Sequence, residues 1–347
     1  MSAPAAQLIL RAPGPALTVQ DLGRPGYGAQ GLSRGGAFDP LALWEAAALL
    51  GLPAPVAAVE MPGLGARFEV TAPLRLALTG APMQAELDGR PLAWHAAHPV
   101  RPGEVLRIGG ATGGAVGYLT PAGGLETPAL LGSRATHLAA GIGAPLDDGA
   151  RLPVGPDPDP ARPACTLRPA PRFGGGTLRL LPGPQTDQFG PERLEAFCAA
   201  RFARGPRSNR QALQLLDRSQ GAGPPLWHLA AGAMASEPIQ AGDVQITGDG
   251  TPYVLGPECQ TIGGYPRIGS LHPEDLPRLM QAGPGDLVQF TLCPDAAQAA
   301  RVLVAPDTLL QRLRQGVTPL LRDPAKMTDL LSYQLISGVT AGDDLDR

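Results

Sequence analysis

The sequence predicts a mainly β protein made of two related barrel-like halves, with a few short helices and a helical C-terminal tail. Composition is the first ground. The 347 residues include 46 glycines and 40 prolines, close to the combined level of about 25–30% at which an aperiodic chain begins to look disordered. Disorder is excluded because 44% of the residues are hydrophobic and only 17% charged, and apolar residues run along the whole length, so there is a core to bury. Glycine and proline therefore punctuate short strands. The second ground is recurrence: brief apolar or alternating runs bounded by turn residues occur at 7–10, 67–70, 74–78, 114–120, 178–181 and 287–292. The third is an echo between the halves, in which Pro102-Gly103-Glu104-Val105-Leu106-Arg107-Ile108 resembles Pro284-Gly285-Asp286-Leu287-Val288-Gln289-Phe290.

Taken in order, the elements follow from local chemistry. Asp39 is placed as an N-cap, Pro40 at the first helical position and Gly51 just past the end, which predicts a helix over 40–50. Asp88-Gly89 after MQAEL, and Gly248-Asp249-Gly250 between VQIT and TPYVL, supply the positive-φ residues of hairpin turns. Residues 153–171 contain 7 prolines in 19 positions and read as a semi-rigid connector. It separates a first β domain (1–155) from a second (172–300). A second helix is expected over 191–204, closed by Gly205, and a third over 274–281. From 301 to 347 the spacing turns helical, with Leu309, Leu313 and Val317 in one register and an apolar segment, DLLSYQLISGV, suited to packing on the protein or a partner.

Charge and cysteine usage exclude several functions. The net charge is −3 with no basic block, so the footprint of nucleic-acid binding is missing. The N-terminal MSAPAAQLILRAP has no signal-like character and no apolar run approaches the roughly 18 residues of a membrane span; a soluble cytoplasmic protein is expected. Cys165, Cys198, Cys259 and Cys293 lie far apart without a C-x-x-C pair or histidines at ligand spacing, which indicates neither a metal site nor a disulfide framework. Lys326 is the single lysine. Its setting, Ala325-Lys326-Met327, is similar to that of a biotinylated lysine, but too little chain follows it to form a carrier domain.

Two segments concentrate polar groups around glycines. Residues 18–39, TVQDLGRPGYGAQGLSRGGAFD, hold six glycines with Asp21, Arg24, Ser33, Arg34 and Asp39, a composition that exposes backbone N–H groups to an anion or carboxylate. The structural alternative is a tight turn in which Asp39 caps the next helix and Asp21 pairs with Arg24. If Arg24 contacts a ligand, Arg24→Ala abolishes turnover at an unchanged melting temperature; if it is scaffold, the substitution unfolds the protein. The second segment joins Gln245 to Glu258-Cys259-Gln260-Thr261-Ile262-Gly263-Gly264-Tyr265-Pro266, amides and hydroxyls beside one aromatic ring that suit a small polar molecule; its alternative is a loop with a packed tyrosine. Ser208-Asn209-Arg210 is a third polar cluster. No nucleophilic triad or phosphate-binding glycine motif is readable.

The loop at 18–39, LTGA at 78–81, LLGSRAT at 130–136, LPGPQTDQF at 181–189, SNR at 208–210 and QTIGGYP at 260–266 together resemble the allophanate hydrolase subunit 2 family. That family includes the C component of 5-oxoprolinase, Kip-type regulatory proteins and half of the carboxyltransferase domain of urea carboxylase. The likeness runs in order over residues 7–295. It implies two cyclophilin-like β-barrel domains and a hetero-oligomer with a subunit 1 partner. Departures fall after SNR, where Gln211-Ala212-Leu213-Gln214-Leu215 replaces a run close to M-G-Y-R-L, and at Glu258 and Thr247, where the family has aspartate and proline.

Three functions follow from the resemblance. The leading one is ATP-dependent ring opening of a lactam, 5-oxoproline, with Arg24 and Arg210 stabilising charge that develops on oxygen. The second is carboxyl transfer from carboxybiotin, carried by a separate protein, to urea or a related amide. There Gln245, Gln260 and Tyr265 orient the substrate and Asp21 or Asp39 is the base; in either enzymatic reading Ser33, Asn209 and Thr261 are further expected substrate-binding residues. The third is a non-catalytic regulator that restrains subunit 1.

Overall fold

The computed structural model describes residues 6–219, 235–293 and 304–321. Short strands dominate it. In the first half, a six-stranded sheet runs in the spatial order Arg151–Pro153, Gln7–Arg11, Arg67–Val70, Leu106–Ala111, Met83–Leu87, Arg90–Pro91. A seven-stranded sheet runs Thr18–Gln20, Ala58–Pro62, Val116–Pro121, Leu74–Gly80, Ala96–Val100, Cys165–Leu167, Val317–Pro319. Leu8, Leu10 and Phe68 of one meet Leu76, Leu78 and Leu119 of the other in a single buried cluster. In the second half, seven strands close into a barrel: Gly176–Leu181, Arg267–Leu271, Asp243–Ile246, Pro252–Leu255, Ala212–Asp217, Phe202–Arg204, Leu287–Leu292. No helix among the described residues is long and apolar enough to cross a membrane.

Strand Leu74–Gly80 is buried at every position because both of its faces are covered. Leu76 and Leu78 enter the sheet-to-sheet core, while Ala77 packs against Ala46–Leu50. Those alanines and leucines belong to helix α1, Pro40–Leu50, which starts and stops where its caps predict. Asp39 Oδ1 accepts the Ala42 amide at 3.3 Å, and Gly51 closes the helix at φ 78°. The hairpin at Asp88-Gly89 has φ of 49° and 77° at the two residues, the pair of positive values that a two-residue turn between right-twisted strands needs. Gly103 and Gly285, which begin the echoed segments, share φ near +90°, so the echo is a repeated turn ahead of a strand.

Four expectations change, the last being the helical register of the tail, which ends at Gln315 so that Val317 lies in a strand. The second helix, α2, spans Gly190–Ala199 and stops short of 204, because Phe202–Arg204 is needed as a barrel strand. There Phe202, fully buried, packs between Phe197 and Phe290 with ring centroids 5.0 and 5.7 Å away. The third, α3, shortens to Leu276–Met280. The proline connector also carries a strand, since Cys165–Leu167 joins the first half's sheet, and Asp157 is clamped by Arg75 through bonds of 2.6 and 2.7 Å. Helix α4, Pro306–Gln315, seats Leu310 and Leu313 on the α1 cluster, and Val317 begins the strand paired with Cys165–Leu167. DLLSYQLISGV and Lys326 lie outside the described residues.

The two halves share a core. Ala37, Phe38, Ala42, Val116 and Tyr118 of the first belong to the same buried cluster as Leu178, Phe189, Phe202 and Phe290 of the second. Strand Val116–Pro121 serves both cores by alternation: Tyr118 faces the shared cluster and Leu119 the first half's own.

Candidate functional site

A cleft of about 1100 Å³ opens where the halves meet. Its walls come from the strand end at Glu60 to Gly63, the turn at Gly114 to Val116, the Arg204 to Gln211 connection and the Ala282 to Pro284 turn, with Phe38, Leu138, Ala139 and Glu258 completing them. Most of this lining is apolar. Charged groups converge at one end, the mixture expected of a small-molecule site.

Arg210 organises that end. Its guanidinium donates from Nε to Glu258, from Nη1 to Glu60 and from Nη2 to the Gly36 carbonyl, and lies 5.0 Å over the Phe38 ring. Burial disfavours its charge, but Glu60 and Glu258 outweigh that and hold its pKa above the ordinary arginine value. Glu60 is fixed in turn: its Oε2 accepts the Phe38 amide at 2.9 Å and the Tyr118 hydroxyl at 2.7 Å. Burial, with the neighbouring Glu60 and Asp39 charges, pushes the Tyr118 phenol well above its usual range, so it stays a donor. Arg204 also lines the cleft.

Ser33, His137 and Glu258 come together as sequence spacing could not show. Ser33 Oγ lies 2.9 Å from His137 Nε2, and His137 Nδ1 lies 3.8 Å from Glu258 Oε2. The order looks like a nucleophilic triad, but its hydrogen-bond polarity is reversed. His137 Nδ1 accepts the Ala140 amide at 3.2 Å, and Glu258 Oε2 accepts the Ala139 amide at 3.0 Å. Burial lowers the His137 pKa, only partly offset by Glu258. The neutral ring therefore carries its proton on Nε2 and donates to Ser33, which leaves it unable to act as the serine's base. The trio caps the turn at 138–140 and ties it to the second half.

The glycine-rich loop is zipped against itself. Arg24 N donates to Arg34 O at 2.8 Å and Ala37 N to Asp21 O at 2.9 Å; a Cβ on Gly23 would sit 2.5 Å from Arg34 O, and one on Gly36 would sit 2.7 Å from Gly23 N. The glycines thus admit backbone beside backbone. Asp21 is saturated by the Gly23 amide, the Ser133 hydroxyl and the Arg134 amide at 2.6–2.8 Å. Arg24, 1% exposed, donates to the carbonyls of Leu130 and Ala135. Asp39 is fully buried, with Oδ2 taken by Arg172 Nε at 2.6 Å and Gln281 Nε2 at 2.9 Å. None of these three lines the cleft.

Of the remaining expected residues, Asn209 lines the cleft and its Oδ1 accepts the amides of Gln211 and Ala212, a turn of its own making. Gln245, Gln260, Thr261 and Tyr265 are not among the cleft's lining residues. Gln245 is buried beside Gly263, its amide nitrogen without a partner among the described residues, and Tyr265 is 50% exposed. Cys259, raised to about 12 by burial and then by the Asp243 charge, is no thiolate at neutral pH. The charged cleft residues absent from the sequence expectations are Glu60 and Arg204; Glu258 stands within the expected polar segment 258–266, but with no role assigned to it there. Glu60 sits in the middle of an apolar strand, AVEMP, and a carboxylate there, needing a buried partner, is the signal that could have found it.

The family model for the carboxyltransferase domain, subdomain A and B, matches residues 30–292. The chain is 33% identical to the C component of 5-oxoprolinase from Escherichia coli (strain K12) over 80% of this chain and 88% of that protein. With its Haemophilus influenzae counterpart it is 30% identical, over 86% and 95%. The urea amidolyase of Lachancea kluyveri is 27% identical over 88% of this chain, which is 18% of that enzyme. Among solved structures, TTHA0988 superposes with a TM-score of 0.74 at 32% identity, covering 84% of this chain and 56% of that one. K. lactis urea amidolyase superposes at 0.77 and 21% identity over 93% and 21%, a likeness of fold. This chain thus spans about half of the TTHA0988 chain and about a fifth of the K. lactis enzyme.

Proposed function

The chain belongs to the carboxyltransferase-domain family, subdomains A and B, and from that premise we propose that it is the lactam-binding subunit of a 5-oxoprolinase-type enzyme acting with a second subunit. The observation that carries this reading is the cleft between the halves, apolar along its walls and ending in the buried Glu60–Arg210–Glu258 cluster. A compact cyclic amide fits within such a space: ring methylenes lie on the apolar walls and the amide meets fixed polar groups at one end. Arg210 is held by three acceptors, which leaves one N–H on each terminal nitrogen for a substrate oxygen without reorganisation of the guanidinium. Support also comes from the near full-length match to the C components of two 5-oxoprolinases.

ATP would supply the driving force for opening a lactam. The cleft suits it poorly, because two carboxylates flank the end where a triphosphate would have to lie, so its site is assigned to the partner or to the surface between subunits. Carboxyl transfer from a carboxybiotin-bearing protein is the second reading, favoured by the urea amidolyase relative. Co-expression with a subunit 1 protein tests both. The expected result is a stable complex that hydrolyses ATP only when 5-oxoproline is present. Carboxylation of urea with carboxybiotin instead would support the second reading, and a stable complex with neither turnover would leave a regulator of the partner.

A further inference from the structure

Arg204 closes strand Phe202–Arg204 on the same strand face as Phe202, whose ring fills the barrel, and it reaches the cleft at the barrel's mouth. Four charged side chains line the cleft: Glu60, Glu258, Arg210 and Arg204. The first three satisfy one another, with the amides of Phe38 and Ala139 and the Tyr118 hydroxyl taking up what Arg210 leaves. The Arg204 side chain makes no hydrogen bond or ion pair among the described residues, although burial lowers its pKa with nothing to offset it. A partly desolvated guanidinium that faces the cleft with no protein acceptor is available to an acceptor on a ligand.

Building on the reading of the cleft as a small-molecule site, we infer that Arg204 is its anion-binding residue and that the anion is a single carboxylate on a compact, mostly apolar molecule. A carboxylate matches the guanidinium fork with two parallel N–H···O bonds. A phosphate does not match, since it brings up to two charges toward Glu60 and Glu258 and finds only one unpaired cation. An amide or lactam with an adjacent carboxylate places that group on Arg204 and leaves its amide for the Arg210 end.

The test is calorimetric titration of the full chain with 5-oxoproline, with 2-pyrrolidinone, which is the same ring lacking the carboxylate, with N-acetylglycine and with inorganic phosphate. The wild type is expected to bind 5-oxoproline at least about tenfold more tightly than 2-pyrrolidinone. Arg204→Met should erase that preference and leave 2-pyrrolidinone binding unchanged, with a Tm equal to or above wild type, and Arg204→Lys should restore part of it. Binding of N-acetylglycine but not 5-oxoproline, lost in Arg204→Met, supports the carboxylate site while sinking the lactam reading. The inference is overturned if no carboxylate binds the wild type, if Arg204→Met binds carboxylates as the wild type does, if it melts well below wild type, or if phosphate binds more tightly in an Arg204-dependent way.

Discussion

Arg24 and Arg210 carry the same charge and end in different surroundings. Arg24 spends its guanidinium on backbone carbonyls of the 130–135 segment, so Arg24→Ala should lower stability by about 2–3 kcal/mol, the cost of stranding acceptors and losing packing. An unchanged Tm in a thermal melt would contradict that. Arg210 is bound to two carboxylates each 1% exposed. Removing it in Arg210→Met leaves both uncompensated, an expected loss of about 3–5 kcal/mol. Adding Glu60→Gln should recover part of it, so a purely additive double variant argues against the cluster. Alongside His98 and His137, whose pKa values burial also lowers, His95 contributes to the pH dependence. It is buried with neither ring nitrogen partnered among the described residues, and burial, then the Arg172 charge, lowers its pKa from 6.5 to about 4, against a smaller opposing effect of Asp39. Between those values the unfolded chain binds a proton that the folded chain refuses, so stability is full above pH 6.5 and falls as pH drops toward 4, by up to about 3 kcal/mol. His95→Phe should flatten that part of the Tm-against-pH curve. The cap role of Asp39 was legible because its partner is three residues on; its bond to Arg172 was not, because that partner lies 133 residues away.

Turn chemistry made several elements readable. Asp88-Gly89 and the Asp39-Pro40…Gly51 frame depend on backbone conformations that few residues adopt, and both appear where expected. The stop of α2 was not readable because 190–204 has helical spacing throughout, while Phe202 is drawn into the barrel by Phe197 and Phe290. Phe202→Ala should cost about 3–5 kcal/mol, as a cavity opens where three rings meet; a loss below about 1 kcal/mol in denaturant melts would mean the barrel closes without it. The glycine-rich loop has the composition of a ligand loop, yet its glycines serve its own zipped backbone. Gly23→Ala, forced to φ 78° with its Cβ against Arg34 O, should destabilise the loop and weaken the cleft through Gly36, whose carbonyl holds Arg210.

At the scale of the molecule, the shared core from Ala37 and Tyr118 to Phe202 and Phe290 holds the halves against each other, so the cleft is a fixed space. Glu60 from the first half and Arg210 and Glu258 from the second meet there through contacts up to 150 residues apart. Composition and turns predicted two β halves, while the meeting of their charges depends on docking that no local pattern encodes. The most direct measurement is phosphate release by the full chain in complex with a subunit 1 protein, with and without 5-oxoproline, compared with a variant that fills the cleft, Ala115→Trp. Release that needs 5-oxoproline and is lost in Ala115→Trp, with the complex and its Tm intact, is the predicted result. Release that continues unchanged with the cleft filled would show that the lactam is handled elsewhere.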